Sequence, residues 1–338
     1  MRAYQILGDW GFDNIKSVVL PDPEPKSNEV VIKMSAASLN ARDLIVPERG
    51  YGRATGELPL IPVSDGVGIV VSVGENVRRV KVGDRVCPTY FQNWINGSPS
   101  PERFASALGG PRDGVMAEYV CLPEDGLVVV PKYFTDKEAA TLPCAALTAW
   151  SAVVTLGKTQ PGDKILVQGT GGVALFALQF AKLCGAHVTV LTSQPGKQQK
   201  AHALGADVTI DYSKETDWAR SSRDITHDRG GFDNIIDLGG ANTLPMALRS
   251  VRPGGTISMI GVLSGLEINV SAGLIVARQV RLQGVTVGHR DGFEAMLLAM
   301  QQHEIHPVLG RHFGFDEFHQ ALTCLRLDDR FGKTTIGF

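Results

Sequence analysis

Residues 164–174 read KILVQGTGGVA. A short apolar strand, KILVQ, runs straight into Gly169-Thr170-Gly171-Gly172-Val173-Ala174, and VALFALQFAKLCG then continues with helical periodicity. Each small residue has a physical task in that context. Gly169 permits the tight turn, Gly171 lets the backbone approach a pyrophosphate, and Ala174 lets helix and strand pack closely. Amides at the start of the helix have no intrahelical partner, so they are available to phosphate oxygens. The stretch therefore predicts a dinucleotide site in which Gly169, Thr170, Gly171, Gly172 and Val173 hold the pyrophosphate.

Working outward, the next strand, HVTVLTSQPGK at 187–197, ends in Thr192 and Ser193. NAD sites commonly carry an acid there, on the ribose hydroxyls. Here the hydroxyl of Ser193 and the charge of Lys197 suit a 2′-phosphate, which predicts NADPH as the cofactor. Alternation continues through a helix GKQQKAHALG, a strand DVTIDY, a strand FDNIIDLGG, a helix TLPMALRSVRPGG and a strand TISMIGV. Apolar strands alternating with helices imply an α/β fold whose parallel sheet is covered on both faces.

The first 130 residues have a different texture: EVVIKMSAAS, GVGIVVSVG, GDRVCP and MAEYVCLPE are short β-branched runs broken by Gly, Pro and Asp. They read as an all-β region with tight turns. From Asp136, DKEAATLPCAALTAWSAVVTL reads as a helix with Thr135 as N-cap and Gly157 as stop, and a domain boundary falls inside it. After VRLQGVTVG comes a helix around Phe293–Gln301, and the tail ending in KTTIGF is too short for a domain and is expected to fold back onto the β region. The polar stretch Gln92–Gly114 reads as a long loop near a site.

A chain of 338 residues is expected to form two domains, one of them discontinuous. Hydrophobic residues at 43% and charged residues at 20% are ordinary globular proportions. A net charge of −2, spread along the chain, gives no footprint for nucleic acid or anionic lipid and points to small-molecule partners. The five cysteines are scattered without a CxxC pair, which fits a reducing compartment rather than a disulfide framework. Asp9 and Asp13 stand where a secretory signal is apolar, so a cytoplasmic location is expected. The segment SGLEINVSAGLIVARQVRLQGVTV combines apolar β stretches with few charges, which predicts a homodimer joined through the cofactor domains.

A series of ordered motifs gives the chain its resemblance to a family: SLNARD at 38–43, PVSDGVGIVVSVG at 62–74, VGDRV at 82–86, AEYV at 117–120, AATLPCAALTAW at 139–150, the Gly-rich loop, LGAD at 204–207, LRSVRPGGTISMIG at 248–261 and FGKTTI at 331–336. Over its whole length the chain resembles the medium-chain dehydrogenase/reductases, closest to the zinc-free quinone oxidoreductase-like members. The resemblance implies a GroES-like β domain, residues 1–145 completed by 288–338, and a doubly wound Rossmann domain, residues 146–287, with the substrate cleft between them. It also implies that Asn40, Asp43 and Tyr51 line the substrate site, with Tyr51 as hydrogen-bond or proton donor. Thr148, Tyr212, Gly239, Gly261, Val262 and Val287 are implied along the cofactor, and Lys333 at its phosphates. Tyr90, Phe91 and Trp94 are candidates for an aromatic wall, with core packing the plainer role for Phe91.

The family's zinc-dependent branch uses Cys, His and Cys ligands with a nearby Glu. The matching positions here are Asn40, Ser64, Asp65 and Cys144, and the first histidine of the chain is His187. No metal is therefore expected, and His303, His306 and His312 read as surface groups. The function implied is NADP(H)-dependent hydride transfer to a quinone, enone or related carbonyl without zinc. Two competing readings remain: a zinc-type alcohol dehydrogenase with atypical ligands, and a non-enzymatic nucleotide-binding structural or RNA-binding protein.

Overall fold

The computed structural model describes residues 1–338 except 263, 266, 328 and 329. The chain divides into two compact units, Met1–Leu147 with Gly288–Phe338, and Thr148–Val287.

In the first unit, strands β1 (Arg2–Ile6) and β2 (Ile15–Val19) form an antiparallel pair. The larger sheet is organised by β3 (Glu29–Ser38), whose ten residues are mostly buried. β3 pairs antiparallel with β4 (Asp65–Val73) and with β6 (Tyr119–Pro123), while β5 (Arg85–Pro88) and β7 (Leu127–Val129) extend the sheet beyond β4. Gly68 of β4 is obligatory, because a Cβ there would lie 2.3 Å from the Lys33 carbonyl oxygen.

The second unit is a six-stranded sheet in which every pairing is parallel. Its strands are β8 (Lys164–Gln168), β9 (His187–Leu191), β10 (Val208–Ile210), β11 (Phe232–Asp237), β12 (Val251–Met259) and β13 (Arg281–Gly284). The order β10-β9-β8-β11-β12-β13 is the doubly wound arrangement, in which strand order reverses between β8 and β11. All six β11 residues are buried, as a central parallel strand requires. This is the α/β fold the alternation predicts.

The tail returns to the first unit. β14 (Leu309–Gly314) pairs with β15 (Lys333–Gly337), and β15 pairs antiparallel with β3, setting Thr335 opposite Ser38 and Ile336 opposite Ala37. Helix Phe318–Leu325 sends Phe318 and Leu322 into the core formed by Val30, Ile32 and Val70. Each such buried side chain contributes roughly 1.5–3 kcal/mol.

Two local readings are corrected. The stretch around GLIVARQ, read as β, contains helix Ala272–Arg278, with the Ser271 hydroxyl accepting from the Leu274 amide at 3.4 Å and the helix ending at Gln279, φ 49°. A six-residue apolar run does not distinguish helix from strand, and here the Ser271 cap decides. Leu266, in the segment read as the dimer contact, lies outside the described residues. The single helix expected from Asp136 is instead segmented: Asp136–Ala139 is α-helical, while Leu142–Ala146 and Ser151–Thr155 take wider π turns on either side of Leu147–Trp150. Pro143 has no amide to donate, which favours the irregularity at the first of these.

Thr135 does cap that region. Its hydroxyl accepts from the Glu138 amide at 3.3 Å, and the Glu138 carboxylate accepts from the Thr135 amide at 2.8 Å. Burial raises the Glu138 pKa, but the Thr135 bonds and His306, 2.7 Å away, outweigh it and leave the carboxyl below its ordinary value. Its stabilisation is thus complete above the unfolded pKa and lost as pH falls through the lower folded value. Thr135→Ala is expected to cost about 1 kcal/mol, read as a lower urea midpoint at constant m-value for the first unit. An unchanged midpoint would show that the cap carries no stability.

Candidate functional site

The Gly-rich loop lies at the carboxyl end of β8, beside the reversal of strand order, where open α/β sheets bind their ligands. Gly169 has φ +79°, a left-handed conformation costly for other residues. Gly171 caps helix Gly172–Leu183 with φ −78° and no side-chain hydrogen bond. A Cβ added at Gly169 or Gly171 would meet nothing within 4 Å, so the backbone here faces open space. Ala174 is fully buried against the sheet and Thr170 is 5% exposed. Uncapped amides at the start of a twelve-residue helix, with room in front of them, fit a dinucleotide pyrophosphate.

A network not apparent from the sequence holds the two strand ends together. The Gln168 amide nitrogen donates to Asp237 Oδ2 at 3.2 Å, and Gln168 Oε1 accepts from the amides of Leu238 and Gly239 at 3.1 and 3.3 Å. Asp237 Oδ1 accepts from the Gly240 amide and the Thr243 hydroxyl at 2.9 and 2.8 Å. Gln168 and Asp237 thus fix the strand ends that flank the loop. Gly239 and Gly261 sit close by, where a Cβ would lie 2.5 Å from Thr243 and 2.0 Å from the Leu238 carbonyl oxygen respectively.

The remaining cofactor candidates lie along the second unit. Ser193 and Lys197 are half-buried around the start of helix Pro195–Ala203, and the Thr192 amide ties this loop to β10 through the Ile210 carbonyl at 3.0 Å. Tyr212, just past β10, and Val262 are exposed. Thr148 is buried, and Val287 is buried with φ +50°, an unusual conformation for a β-branched residue.

In the first unit, Asn40 and Asp43 belong to a group of buried polar side chains, and Tyr51 is 45% exposed. Asp43 Oδ2 accepts from the Asn40 amide at 2.7 Å. The Lys333 ammonium, at the start of β15, donates to Asn40 Oδ1 and to the Leu39 carbonyl, both at 2.6 Å, and the residue is only 4% exposed. The sequence reading sends this lysine to cofactor phosphates; two of its N–H bonds are engaged within the first unit. Asp65 accepts from the Ser64 hydroxyl at 2.6 Å and from the Cys144 amide at 3.0 Å. Arg42, which the sequence reading passed over, donates to the carbonyls of Leu108 and Gly110 at 2.6 and 2.9 Å, with its guanidinium 4.8 Å from the Tyr90 ring centre. That contact anchors the long loop expected at Gln92–Gly114.

Burial sets the ionisation of these groups. It pushes the Asp43 carboxyl up to about 6 against the pull of Arg42, and raises Asp65 against the pull of Lys333. It raises the Cys144 thiol far above its ordinary range, so Cys144 is a neutral thiol. Burial lowers Lys333, with Asp65, Cys144 and Asp43 opposing it. Tyr51 is 45% exposed, and desolvation of its hydroxyl outweighs Arg42 and raises its pKa, leaving a protonated donor near neutral pH. Val63, directly before Ser64, is fully buried with φ +72°; Gly109 and Gly114 pack on its backbone so closely that a Cβ would come within 2.8 and 2.0 Å of it. Such strain persists where surrounding structure over-determines it.

Tyr90, Phe91 and Trp94 are all buried, with ring centres 4.6 and 5.6 Å apart along the series, so they pack against one another. His306 contacts Glu138, and His312 contacts the Thr335 hydroxyl at 3.0 Å. Among the described residues, no group of three or more His, Cys, Asp or Glu side chains is arranged to hold a metal ion. Of the side chains at the zinc-ligand positions, Asn40 offers an amide oxygen already bonded to the Lys333 ammonium, and no histidine stands among them.

Residues 172–302 match the family model for zinc-binding dehydrogenases, and residues 26–132 that for the alcohol dehydrogenase GroES-like domain. The chain is 40% identical to a zinc-type alcohol dehydrogenase-like protein of Schizosaccharomyces pombe, across 96% of each chain. It is 31% identical to a 2-methylene-furan-3-one reductase of Solanum lycopersicum, across 99% of this chain and 79% of that one. A solved NAD-dependent alcohol dehydrogenase superposes with a TM-score of 0.90 at 31% identity, covering 100% of both chains.

The two loop glycines are expected to fail differently. Gly171→Val needs no unusual φ and meets open space, so it should leave the melting temperature nearly unchanged while weakening dinucleotide binding by about tenfold or more. Gly169→Ala should cost about 1–2 kcal/mol of stability because of its left-handed backbone. Calorimetry and cofactor titration of both variants check this; full cofactor affinity in Gly171→Val would remove the pyrophosphate from this loop.

Proposed function

The chain belongs to the medium-chain dehydrogenase/reductase superfamily and is an oxidoreductase, and from that premise we propose that it is an NADPH-dependent, metal-free reductase of quinones, enones or related conjugated carbonyls. The observation that carries this reading is the Lys333 ammonium bonded to Asn40 Oδ1 among the donors where the zinc-dependent branch keeps its ligands.

Reduced nicotinamide supplies a hydride to an electrophilic carbon. The displaced electron pair moves onto the substrate oxygen, and a proton completes the reduced product. Asn40 and Tyr51 are the residues assigned to that oxygen. Tyr51 is the proton donor, because its phenol is protonated near neutral pH and is partly open to solvent. Asp43 positions Asn40 through its bond to the Asn40 amide. A conjugated acceptor spreads the developing charge over several atoms, so hydrogen-bond donors can support it. An unactivated alcohol must lose its hydroxyl proton as hydride leaves, a step for which a Lewis-acidic metal is the usual aid.

Thr148, Gly169, Thr170, Gly171, Gly172, Val173, Tyr212, Gly239, Gly261, Val262 and Val287 are assigned to the cofactor, with Ser193 and Lys197 at its 2′-phosphate. A lysine in the first turn of a helix opposes the helix dipole, a cost that a bound phosphate offsets. The solved relative described as NAD-dependent makes this choice a property of the chain's own residues. The reading includes a homodimer through β13, an edge strand with Arg281, Leu282 and Gly284 exposed.

Chelator-treated protein is expected to oxidise NADPH with a conjugated enone or quinone far faster than it reduces NADP with a simple primary alcohol. Ethanol oxidation restored by zinc would overturn the metal-free reading and favour an alcohol dehydrogenase. Lys197→Ala should weaken NADPH by about tenfold and leave NADH nearly unchanged. An equal loss for both cofactors would remove Lys197 from the 2′-phosphate.

A further inference from the structure

In the first unit, the β1–β2 pair and helix Phe318–Leu325 enclose a cavity of about 560 Å³, and none of its lining residues is assigned to substrate or cofactor. Small-molecule sites commonly measure roughly 300–1,000 Å³. One wall follows the helical repeat of three or four residues: His319, Leu322, Thr323 and, just past the helix end, Arg326. The other side is built from Tyr4 of β1, from Ile15, Lys16 and Ser17 of β2, and from Phe12 and Asp13 in the turn before β2.

The floor of this cavity is apolar. Ile15 and Leu322 are buried, and Tyr4 is only 5% exposed, its ring edge-on to His319 with centres 6.0 Å apart. Phe12 adds a second aromatic surface, and the Arg326 guanidinium lies over it, 4.1 Å from the ring centre. A guanidinium held over a ring keeps an N–H edge for a planar oxyanion.

The rim is charged and unsatisfied. Lys16 and Arg326 have no ion-pair partner among the described residues. These two fixed cations stand against one carboxylate, that of Asp13, so the lining keeps a positive surplus. The Tyr4 hydroxyl likewise has no hydrogen-bond partner among the described residues, and burial and Asp316 raise its pKa, so it remains a donor. An aromatic floor beneath a rim with a surplus of donors and one uncompensated cation selects a flat apolar body that carries a single negative charge.

We propose that this cavity is a second ligand site of the protein and that it takes a small aromatic carboxylate, with the ring on Phe12 and Tyr4 and the carboxylate met by Arg326 and Lys16. Because no lining residue belongs to the reductase site, occupancy does not depend on that activity.

The test is a calorimetric titration of the full chain, with saturating NADPH present, using 2-naphthoate and its uncharged isostere 2-naphthamide. Wild type is expected to bind one equivalent of 2-naphthoate, and the amide at least about tenfold more weakly, as loss of a charge-assisted bond implies. Lys16→Glu/Arg326→Glu changes two exposed side chains, so it should melt as wild type does and bind 2-naphthoate at least about tenfold more weakly. A second variant, Thr323→Cys, locates the ligand without altering the rim charges. Its modification by a maleimide, read at position 323 by peptide mass spectrometry, is expected to slow when 2-naphthoate is saturating. No binding at millimolar 2-naphthoate, equal affinity for acid and amide, or unprotected labelling at position 323 would overturn the site.

Discussion

A buried ammonium must be met by oxygen, and the Lys333 side chain imposes that demand on the first unit. Lys333 opens the last strand, yet its bonds reach Leu39 and Asn40 at the end of β3, and the carboxylates of Asp43 and Asp65 oppose its charge. Pairing of β15 with β3 brings these groups within range. The backbone around them is correspondingly constrained. Val63 holds a left-handed conformation directly before Ser64, and Gly109 and Gly114 close against it. Arg42 fixes the same loop through the Leu108 and Gly110 carbonyls. Charge satisfaction and backbone strain are thus solved together, leaving Tyr51 partly exposed beside a rigid polar cluster.

The second unit leaves the backbone amides at the start of helix Gly172–Leu183 without a side-chain cap, as the proposed pyrophosphate site requires. The doubly wound order leaves the ends of β8 and β11 diverging, and Gln168 and Asp237 bridge them with side-chain bonds. The loop glycines can then expose amides without unfolding the strand ends. Hydride transfer gains most from such preorganisation, because little covalent chemistry is left for the protein beyond holding the reactants and supporting the developing charge.

Features encoded by neighbouring residues were legible in the sequence. The strand, the Gly-rich turn and the helix that follow one another from Lys164 needed only local spacing, and Thr135 reads as an N-cap from its place directly before the helical run, whereas the reciprocal Glu138 bond emerged only in the structure. The α/β class followed from alternation. Features made by distant residues were not legible. Lys333 and Asn40 are 293 positions apart, and Gln168 and Asp237 are 69 apart, so no periodicity links them. Arg42 was passed over because its partners are backbone carbonyls of a loop, which leave no trace in residue type. The helix Ala272–Arg278 was misread because Ile275 and Val276 favour a strand locally while Ser271 starts a helix.

The central claim is hydride transfer to carbon without a metal, and isotopic labelling tests it most directly. Chelator-treated protein is incubated with NADPH deuterated at the transferable C4 position and a conjugated enone, and the product is analysed by mass spectrometry and NMR. The account predicts one deuterium on the β-carbon of the saturated product, with no added metal. Oxidised cofactor with no deuterium in the product, or labelled product that forms only after zinc is supplied, would contradict it.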